Sequence, residues 1–390
     1  MNESVQFGAM PEPNSPPMPL APKQPQTALP VIEVLASGPA KGGGIGQVVR
    51  FLLQENAENP LLDVVATVDP RGPGHWAQTF WYLPMALIQL TALRLTKGRT
   101  PVLHVHIAGR LSTLRKTIAI AWAHLLGFPV AVHYHEYGYA KFFQTLPGPA
   151  RAWVALILRR CCAHIVLGPA EQQDLPQILG ADPARFHVIP NGVPKALTDV
   201  ARSVPASPID IVFVGALSDR KGVPELITAA AMLPPELPWQ LVFCGPGDLA
   251  ERKARAAAAG IAERCLFLGL QDNQAIQKRL SASAIFCLPS HAEGFAIALL
   301  EAMAAGTAII ATEVGEQKQA LRHGDNALVV PPDDVEVLRA ALLELLTDAQ
   351  LRDRLGASAR ADVAKTFNTA TMLQRVAEVM RAVAKERRFS

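Results

Sequence analysis

The chain has 390 residues, half of them hydrophobic, which is enough for two domains of ordinary size, each with its own core. The formal net charge of +3 is too small to indicate a nucleic-acid-binding protein. The five cysteines do not have the spacing of metal ligands, so we expect mostly buried, reduced thiols in a cytoplasmic protein. Residues 1–30 lack the pattern of a secretory signal and are rich in proline, and we predict a disordered tail there.

Positive charge is concentrated in one part of the chain, since residues 71–170 contain eleven Lys or Arg and a single acid, Glu136. This indicates either an uneven spread of surface arginines or a basic face that meets anionic lipid or a phosphate-bearing acceptor. Two apolar segments in this part, 72–93 and 117–135, approach membrane-spanning length but are interrupted by Gly or Pro and by polar residues. We predict buried globular elements there, with monotopic membrane attachment as the alternative.

The first half of the chain alternates short apolar strands with helical periodicity, a pattern typical of parallel βαβ units. Its first strand runs into the glycine-rich stretch GPAKGGGIGQ, after which we predict a helix from about Val48. A further helix is predicted around 114–126, and the polar, proline-containing stretch 193–208 is predicted to be a linker. The predicted strands are 31–37, 63–69, 101–107, 128–135, 163–168 and 186–192.

A second series of strands begins directly after the linker and is again separated by helical stretches. We therefore predict an α/β fold of two Rossmann-like, doubly wound domains, 31–195 and 196–368, which face each other across a cleft. An amphipathic helix is predicted at 369–390. The predicted strands of the second half are 209–215, 239–245, 265–270, 284–290, 308–312 and 327–330.

The loop after the first strand of the second half, VGALSDRKG, offers Arg220 and Lys221 immediately before a helix predicted from Val223. Two cations beside the free N–H groups of a helix N-terminus make a site suited to a diphosphate. A solvated turn is the alternative for this segment taken alone. The GPGD turn that begins at Gly245 follows the next strand and could approach the same ligand.

The stretch SHAEGFAIALLEAMAAG places Glu293 in a sharp turn before a helix predicted from Phe295, and Glu301 inside that helix. Because helical side chains lean toward the N-terminus, Glu301 can reach back toward the turn. Carboxylates accept hydrogen bonds from sugar hydroxyls, while N–H groups and cations hold a diphosphate, so the pattern suits a sugar nucleotide. The alternative is a paired buried acid at Glu301 and a helix cap at Glu293.

In the first half, KGGGIGQ allows the backbone to approach a ligand or a partner domain closely. It fails the GxGxxG dinucleotide pattern, because Val49 or Gln47 stands where the third glycine is needed. Asp69, at the end of the second strand, keeps a dinucleotide site open as an alternative.

The strand that ends in VAVHYHEYGY carries His133 and His135 on one face. No third or fourth ligand of convincing spacing accompanies them and Asp-x-Asp is absent, so we predict a cleft role for these two histidines in place of a metal site. By the same spacing argument, His104 and His106 are predicted to be core or cleft-lining residues.

These residues resemble those of a known family. HAEGFAIALLEAMAAGTAIIAT resembles the Glu-x7-Glu segment of retaining family 4 glycosyltransferases, which have the two-domain GT-B fold. The resemblance covers residues 31–368. Within the family, the sequence most resembles bacterial enzymes that assemble exopolysaccharides or related glycans on a lipid carrier. The other motifs, in the order of the family, are GGGIGQVV, HVHIAGRLSTLRK, HYHEYGYAKFF, HIVLGPAEQQDL, VIPNGVP, FVGALSDRKGVPELI and LRHGDNALVVPPDD.

The resemblance implies a role for each matching residue. Glu301 would bind the ribose hydroxyls, Glu293 would contact the donor sugar, and His135, more than His133, would line the sugar and acceptor site. Arg220 and Lys221 would hold the diphosphate without a metal ion. The implied catalytic residues are Glu293, His135, Arg220 and Lys221; the implied donor-binding residues are Glu301, Gly294, Phe295, Ala296, Gly215, Gly245, Gly44 and Gly46.

The sequence also departs from the family pattern. Gly215 is followed by Ala216 where many members have Arg, His135 is followed by Glu136 where Gly is usual, and GEQKQALRHGDNA lacks the common Gly-Gly-x-Pro-Glu. The last two departures put the identities of the acceptor and the donor sugar in doubt.

We therefore predict a retaining, metal-independent hexosyltransferase that needs no cofactor and uses a UDP- or GDP-linked hexose. Its expected acceptor is a glycan or lipid-linked oligosaccharide in cell-surface glycan synthesis. It is expected in the cytoplasm, with peripheral binding to the inner, anionic face of the cell membrane and no nucleic-acid partner. The alternatives are a sugar-nucleotide epimerase of the same fold and a non-catalytic dinucleotide-binding module.

Overall fold

The computed structural model describes residues 29–34, 44–72, 79–96, 100–136, 138–203 and 207–386. The predicted tail therefore lies almost entirely outside the described residues, as do residues 42 and 43 of the glycine-rich stretch. None of the helices in this part of the chain is long and apolar enough to cross a membrane.

The first half forms a six-stranded sheet in which every neighbouring pair is parallel, in the order β2-β1-β3-β4-β5-β6. Helices connect most of the successive strands, as a parallel sheet requires. The strands are β1 (Leu29–Val34), β2 (Leu62–Val68), β3 (Val102–Ile107), β4 (Val130–Tyr134), β5 (Ala163–Val166) and β6 (Phe186–Val188). The helices are α1 (Gly44–Glu58), α2 (Thr79–Thr96), α3 (Leu111–Leu125), α4 (Tyr139–Gln144), α5 (Gly148–Leu158) and α6 (Pro169–Leu179).

The second half forms another parallel six-stranded sheet, in the order β12-β11-β10-β7-β8-β9. Its strands are β7 (Ile209–Val214), β8 (Trp239–Cys244), β9 (Cys265–Gly269), β10 (Ile285–Leu288), β11 (Ala308–Ala311) and β12 (Leu328–Val329). The helices are α7 (Val223–Ala231), α8 (Leu249–Ala258), α9 (Asn273–Ala282), α10 (Ile297–Ala304), α11 (Val335–Thr347), α12 (Ala349–Thr366) and α13 (Thr369–Glu386).

The strands read as continuous apolar runs because both faces of each sheet are covered. Every residue of β3, β4, β10 and β11 is buried. All twelve predicted strands are present, which confirms the predicted α/β fold with two doubly wound sheets. The helix predicted from about Val48 begins four residues earlier, at Gly44.

Two chain crossings join the halves, and they lie side by side. Val193, at the first crossing, pairs with Asn368, at the second crossing, in an isolated parallel bridge. The Val193 N–H donates to Phe367 O at 2.9 Å. Beyond the second crossing, α13 packs against α1 and against strands of the first sheet. The Thr369 hydroxyl donates to Glu55 Oε2 at 2.7 Å. The predicted amphipathic helix is thus the chain's return to the first half.

Residues 73–78 of segment 72–93 lie outside the described part of the chain; helix α2, which contains residues 79–93, corrects the expectation that the segment is buried. Its inner face is buried at Ala86 and Leu90, but its outer face exposes a stripe of large apolar side chains. The helix packs against β2 and α3 on one side only, so its apolar outer face has no cover from the described residues. The exposed side chains are Phe80, Trp81, Met85, Ile88 and Leu95, which are 60–81% exposed.

Candidate functional site

A cavity of about 420 Å³ lies between the two sheets at the carboxyl ends of their strands. The first half contributes the start of α1, the residue after β4 and Asn191 beyond β6. The second half contributes the loops after β7, β8, β9 and β10 and the starts of α9 and α10. β7 and β10 are the neighbours at which the strand order of the second sheet reverses, where ligands bind in open α/β sheets. Eleven of the twelve predicted site residues line it: Gly44, His135, Gly215, Arg220, Lys221, Gly245, Glu293, Gly294, Phe295, Ala296 and Glu301.

Gly46 is the predicted donor-binding residue that does not line the cavity. The chain is already helical from Gly44, so Gly46 lies inside the first turn of α1 and is buried there. The position of α1 places Gln47 against the ligand space instead.

Glu293 and Lys221 form an ion pair at the centre of the cavity wall, and both side chains are mostly buried. The Ser290 hydroxyl donates a second hydrogen bond to Glu293 Oε1 at 2.7 Å. Gly222, directly after Lys221, has a φ of 72°, and a Cβ there would lie 2.0 Å from Pro289 O. A side chain at position 222 would therefore separate the lysine loop from the glutamate loop.

Arg220 ties the same two loops together from the exposed side. Its Nη1 donates to Ala292 O at 2.7 Å, and the His291 N–H donates to Arg220 O at 2.9 Å. The guanidinium lines the cavity beside Lys221. Two cations thus stand at one wall of the cavity, close to the carboxylate of Glu293.

Helix α10 begins at Ile297, two residues later than predicted, and its N-cap Ala296 provides no side-chain cap. Ile297 and Ala298 line the cavity, so the uncapped first turn faces the ligand space. Glu301 lies one turn further along and also lines the cavity. Burial raises the pKa of Glu301 to about 7, although a hydrogen bond from Gln47 and the charge of Arg50 lower it in part.

Contacts between the halves hold the cavity walls together. Gln47 Nε2 lies 3.4 Å from Glu301 Oε1, and Asn191 Nδ2 donates to Phe295 O at 2.9 Å. Both residues line the cavity, and neither was predicted from the sequence to be a site residue. Their partners are 254 and 104 positions away, so the only local signals were their places in the motifs GGGIGQVV and VIPNGVP.

His104 and His106 of β3, His133 of β4 and His135 directly after β4 form one buried network with Glu33 of β1. His104 Nδ1 and His106 Nε2 lie 3.0 and 2.9 Å from the Glu33 carboxylate. His104 Nε2 is 3.2 Å from His133 Nδ1, and His106 Nδ1 is 2.7 Å from His135 Nε2. His133 is fully buried and does not line the cavity, so its predicted cleft role is wrong. His135 reaches the cavity because it follows the end of β4.

The network keeps its glutamate ionised and the rings of His106, His133 and His135 neutral at neutral pH. Burial alone would raise the pKa of Glu33, but the neighbouring His104 and His106 outweigh it and lower the pKa to about 2. Burial, helped by the charge of His104, lowers the pKa of His106 to about 4. The pKa values of His133 and His135 are also well below the usual histidine range because both rings are buried.

Two groups of described side chains have donor atoms close enough to share a metal ion: His104, His106 and His133; and Glu225, His291 and Asp333. In the first group most ring nitrogens are already bonded to Glu33 or to another ring. In the second, His291 Nε2 lies 3.2 Å from Asp333 Oδ1 and 3.5 Å from Glu225 Oε1. None of these six residues lines the cavity.

Asp69 and Glu136, which the sequence singled out, both accept hydrogen bonds from backbone N–H groups. Asp69, which kept a dinucleotide site open, accepts a hydrogen bond from the Arg71 N–H at 2.9 Å and so closes a turn. Glu136, where the family usually has glycine, accepts from the Gly109 N–H. Its side chain therefore links the loops after β3 and β4, next to His135.

Two family models match adjacent parts of the chain. The model described as Glycosyltransferase Family 4 matches residues 46–197, and the model described as Glycosyl transferases group 1 matches residues 199–362. The chain belongs to the family 4 glycosyltransferases. The two matches meet between residues 197 and 199, close to the first crossing between the halves.

Two curated relatives of this family 4 glycosyltransferase are named for inositol-containing compounds. A phosphatidyl-myo-inositol mannosyltransferase of Mycolicibacterium smegmatis is 34% identical over 45% of this chain and 46% of its own length. A D-inositol 3-phosphate glycosyltransferase of Jonesia denitrificans is 29% identical over 60% of this chain and 61% of its own. The matches therefore span about half to three fifths of these two relatives.

Solved structures show the same fold. A sucrose-phosphate synthase from Thermosynechococcus elongatus superposes with a TM-score of 0.74 at 24% identity, covering 92% of this chain and all of the other. The Anabaena protein HepE in complex with UDP and glucose gives a TM-score of 0.71 at 17% identity, covering 91% and 100%. The family 4 glycosyltransferase described here therefore has the GT-B fold.

Proposed function

We propose that this protein is a retaining, metal-independent glycosyltransferase that moves a hexose from a UDP- or GDP-linked donor to a glycan acceptor. The observation that carries the proposal is the cavity wall in which Arg220, Lys221 and the uncapped start of α10 surround Glu293, opposite His135. Cations and free N–H groups attract a diphosphate, whereas carboxylates and histidine bind hydroxyls. A sugar nucleotide carries both kinds of group.

The same residues would stabilise the leaving group. When the bond between the anomeric carbon and the diphosphate breaks, negative charge develops on the diphosphate oxygens. Arg220, Lys221 and the N–H groups of α10 would stabilise that charge, the work that a metal ion does in other enzymes. Lys221 already pairs with Glu293, so the lysine is held in place before the donor binds.

We further propose that the acceptor is lipid-linked and that the first half binds an anionic membrane surface. The exposed apolar stripe of α2 adjoins α3, which exposes Leu114 and Leu125. Basic side chains are exposed at the ends of the neighbouring helices: Arg110 directly before α3, Arg151 in the first turn of α5 and Arg159 directly after it. Apolar side chains beside positive charge suit a bilayer that carries anionic head groups.

Thermal unfolding with UDP-glucose, UDP-galactose, GDP-glucose, GDP-mannose and NAD tests the proposed function. One sugar nucleotide should raise the midpoint of thermal unfolding, because a ligand at 100 times its Kd stabilises the folded state by about 2.7 kcal/mol.

Lys221→Ala should reduce donor turnover by roughly 100-fold, the cost of losing one group that stabilises developing charge. Glu293→Ala should also lose activity.

Lys253→Ala and Glu263→Ala are matched controls, since both side chains are exposed outside the cavity. Circular dichroism shows whether each variant folds. Wild-type turnover in both cavity variants would contradict the proposal. Stabilisation by NAD alone would favour the dinucleotide-binding module, and epimerisation without any acceptor would favour the epimerase.

A further inference from the structure

His135 is the one member of the buried histidine network that lines the cavity. Its backbone N–H donates to Ile107 O at 3.1 Å, which fixes the residue beside the end of β3. Its ring Nε2 is held by His106 Nδ1 at 2.7 Å. Its other ring nitrogen, Nδ1, is buried and has no hydrogen-bond partner within the described residues. Nδ1 is therefore the atom that His135 has left for a ligand.

The position of the proton on each ring follows from Glu33. An ionised carboxylate can only accept hydrogen bonds, so the His106 nitrogen that faces Glu33, Nε2, must carry the proton. A neutral imidazole has only one N–H, so His106 Nδ1 is left with a lone pair. His106 Nδ1 must then accept, which means that His135 Nε2 carries the proton and His135 Nδ1 has the lone pair.

We propose that Glu33 and His106 are positioning residues that hold His135 in the Nε2–H tautomer, so that it presents only a hydrogen-bond acceptor, Nδ1, to the cavity. The ligand group that it recognises is a hydroxyl of the donor sugar or of the acceptor, because a hydroxyl can donate. A fully ionised diphosphate oxygen cannot donate, so the same ring does not bind it. This identification of the hydroxyl rests on the proposed function, whereas the tautomer does not.

The low pKa of Glu33 and of His106 agrees with this arrangement, since the carboxylate stays ionised and the His106 ring stays neutral across the physiological range. The second arm of the network, from Glu33 through His104 to His133, ends away from the cavity. The two arms share Glu33, but only His106 hydrogen-bonds to His135, whereas His133 stacks on the His135 ring with 4.2 Å between the ring centroids. This difference provides a matched comparison.

The tautomer can be measured in the free protein. A long-range ¹H–¹⁵N correlation spectrum distinguishes protonated from unprotonated ring nitrogens, and the His135→Asn spectrum assigns the His135 signals. We expect a protonated Nε2 and an unprotonated Nδ1 for His135 in the wild-type protein. A protonated Nδ1 would overturn the inference, whether or not the protein transfers a sugar.

His106→Leu and His104→Leu remove the same group from the same carboxylate, but only the first removes the partner of His135. We expect mixed tautomers of His135 and about tenfold slower turnover in His106→Leu, the equivalent of one hydrogen bond. His104→Leu should keep the wild-type tautomer and lose much less turnover. Equal effects in the two variants would mean a merely structural network and would overturn the inference.

His106→Asn addresses the risk that leucine disturbs folding. Its amide oxygen stands near the position of His106 Nδ1 and can accept from His135 Nε2, so we expect the wild-type tautomer and most of the turnover to return. Failure of this variant to restore the tautomer while folding is kept would count against positioning by His106. If no sugar nucleotide is turned over by any form of the protein, the proposed function fails and the tautomer measurement still decides this inference.

Discussion

Glu301 is a buried carboxylic acid of α10, and its side chain faces the start of α1. Its pKa of about 7 comes from burial, which disfavours the charged form and is only partly offset by Gln47 and Arg50. At neutral pH the free protein therefore contains both forms. The ionised form can accept hydrogen bonds from two ribose hydroxyls directly, whereas the protonated form must first lose its proton.

Donor affinity should therefore rise with pH. From pH 6 to pH 8 we expect roughly tenfold tighter binding. Below the pKa of Glu301, donor binding requires the carboxyl group to lose its proton, which weakens the binding free energy by about 1.4 kcal/mol for each pH unit below the pKa. Titration calorimetry in two buffers of different ionisation enthalpy measures both the affinity and the proton release. Above pH 8 both should become constant.

Glu301→Gln is the control for this dependence, since it removes the titrating group and keeps the size. Its affinity should be lower at pH 8 and nearly independent of pH. The same pH slope in the wild type and in Glu301→Gln would show that another group titrates. The pKa values of His106 and His135 are too low for these rings to produce a change near pH 7.

At the scale of secondary-structure elements, the outer face of α2 is the clearest feature without an assigned partner. Trp81, Met85, Ile88 and Leu95 follow helical spacing and are all more than half exposed, while Ala86 and Leu90 are buried. A helix that is apolar on both faces needs cover on its outer side. The anionic bilayer proposed above would provide that cover.

The double change Trp81→Gln and Ile88→Gln should weaken binding to phosphatidylglycerol vesicles at least tenfold, because each large apolar side chain contributes about 1.5–3 kcal/mol when fully buried. Vesicle co-sedimentation measures the loss. Donor binding should be unchanged, since neither residue lines the cavity.

Met232→Gln is the matched control, as it changes an exposed apolar side chain of the second half. It should bind vesicles like the wild type. No binding by the wild type at any salt concentration, or equal binding by the double variant, would contradict the proposed membrane surface.

The whole molecule depends on two neighbouring crossings between its halves. Gly192 lies at the first crossing, where an added Cβ would be 2.6 Å from the backbone oxygen of Asn368, at the second crossing. The neighbouring residue Asn191 bonds to Phe295 O across the cavity. Close backbone contact at this point therefore links the crossing to the cavity wall.

Gly192→Ala should lower stability by about 1–3 kcal/mol, because two backbone segments must separate to make room for one methyl group. Differential scanning calorimetry should show this as a midpoint lower by several degrees. Gly148→Ala is the control, since a Cβ there meets no atom within 4 Å. Equal midpoints for the two variants would mean that the crossing has room for a side chain.

The sequence by itself was sufficient for the twelve strands and indicated most of the loops that line the cavity. Strands appear as short apolar runs, and the loops after them line the cavity, so local patterns were enough to select the segments that contain Glu293, Lys221 and Glu301. The roles of these residues stay predictions. Gly46 does not line the cavity, because α1 begins at Gly44 and Gly46 is buried in its first turn.

Only the tertiary structure decided which of these side chains meet. The pairing of Lys221 with Glu293, of Gln47 with Glu301 and of His106 with His135 depends on strand register and on contacts between the halves. The same holds for the return of α13 and the uncovered face of α2. Hydrophobic periodicity shows that a face is apolar; what covers that face is determined by segments tens to hundreds of residues away.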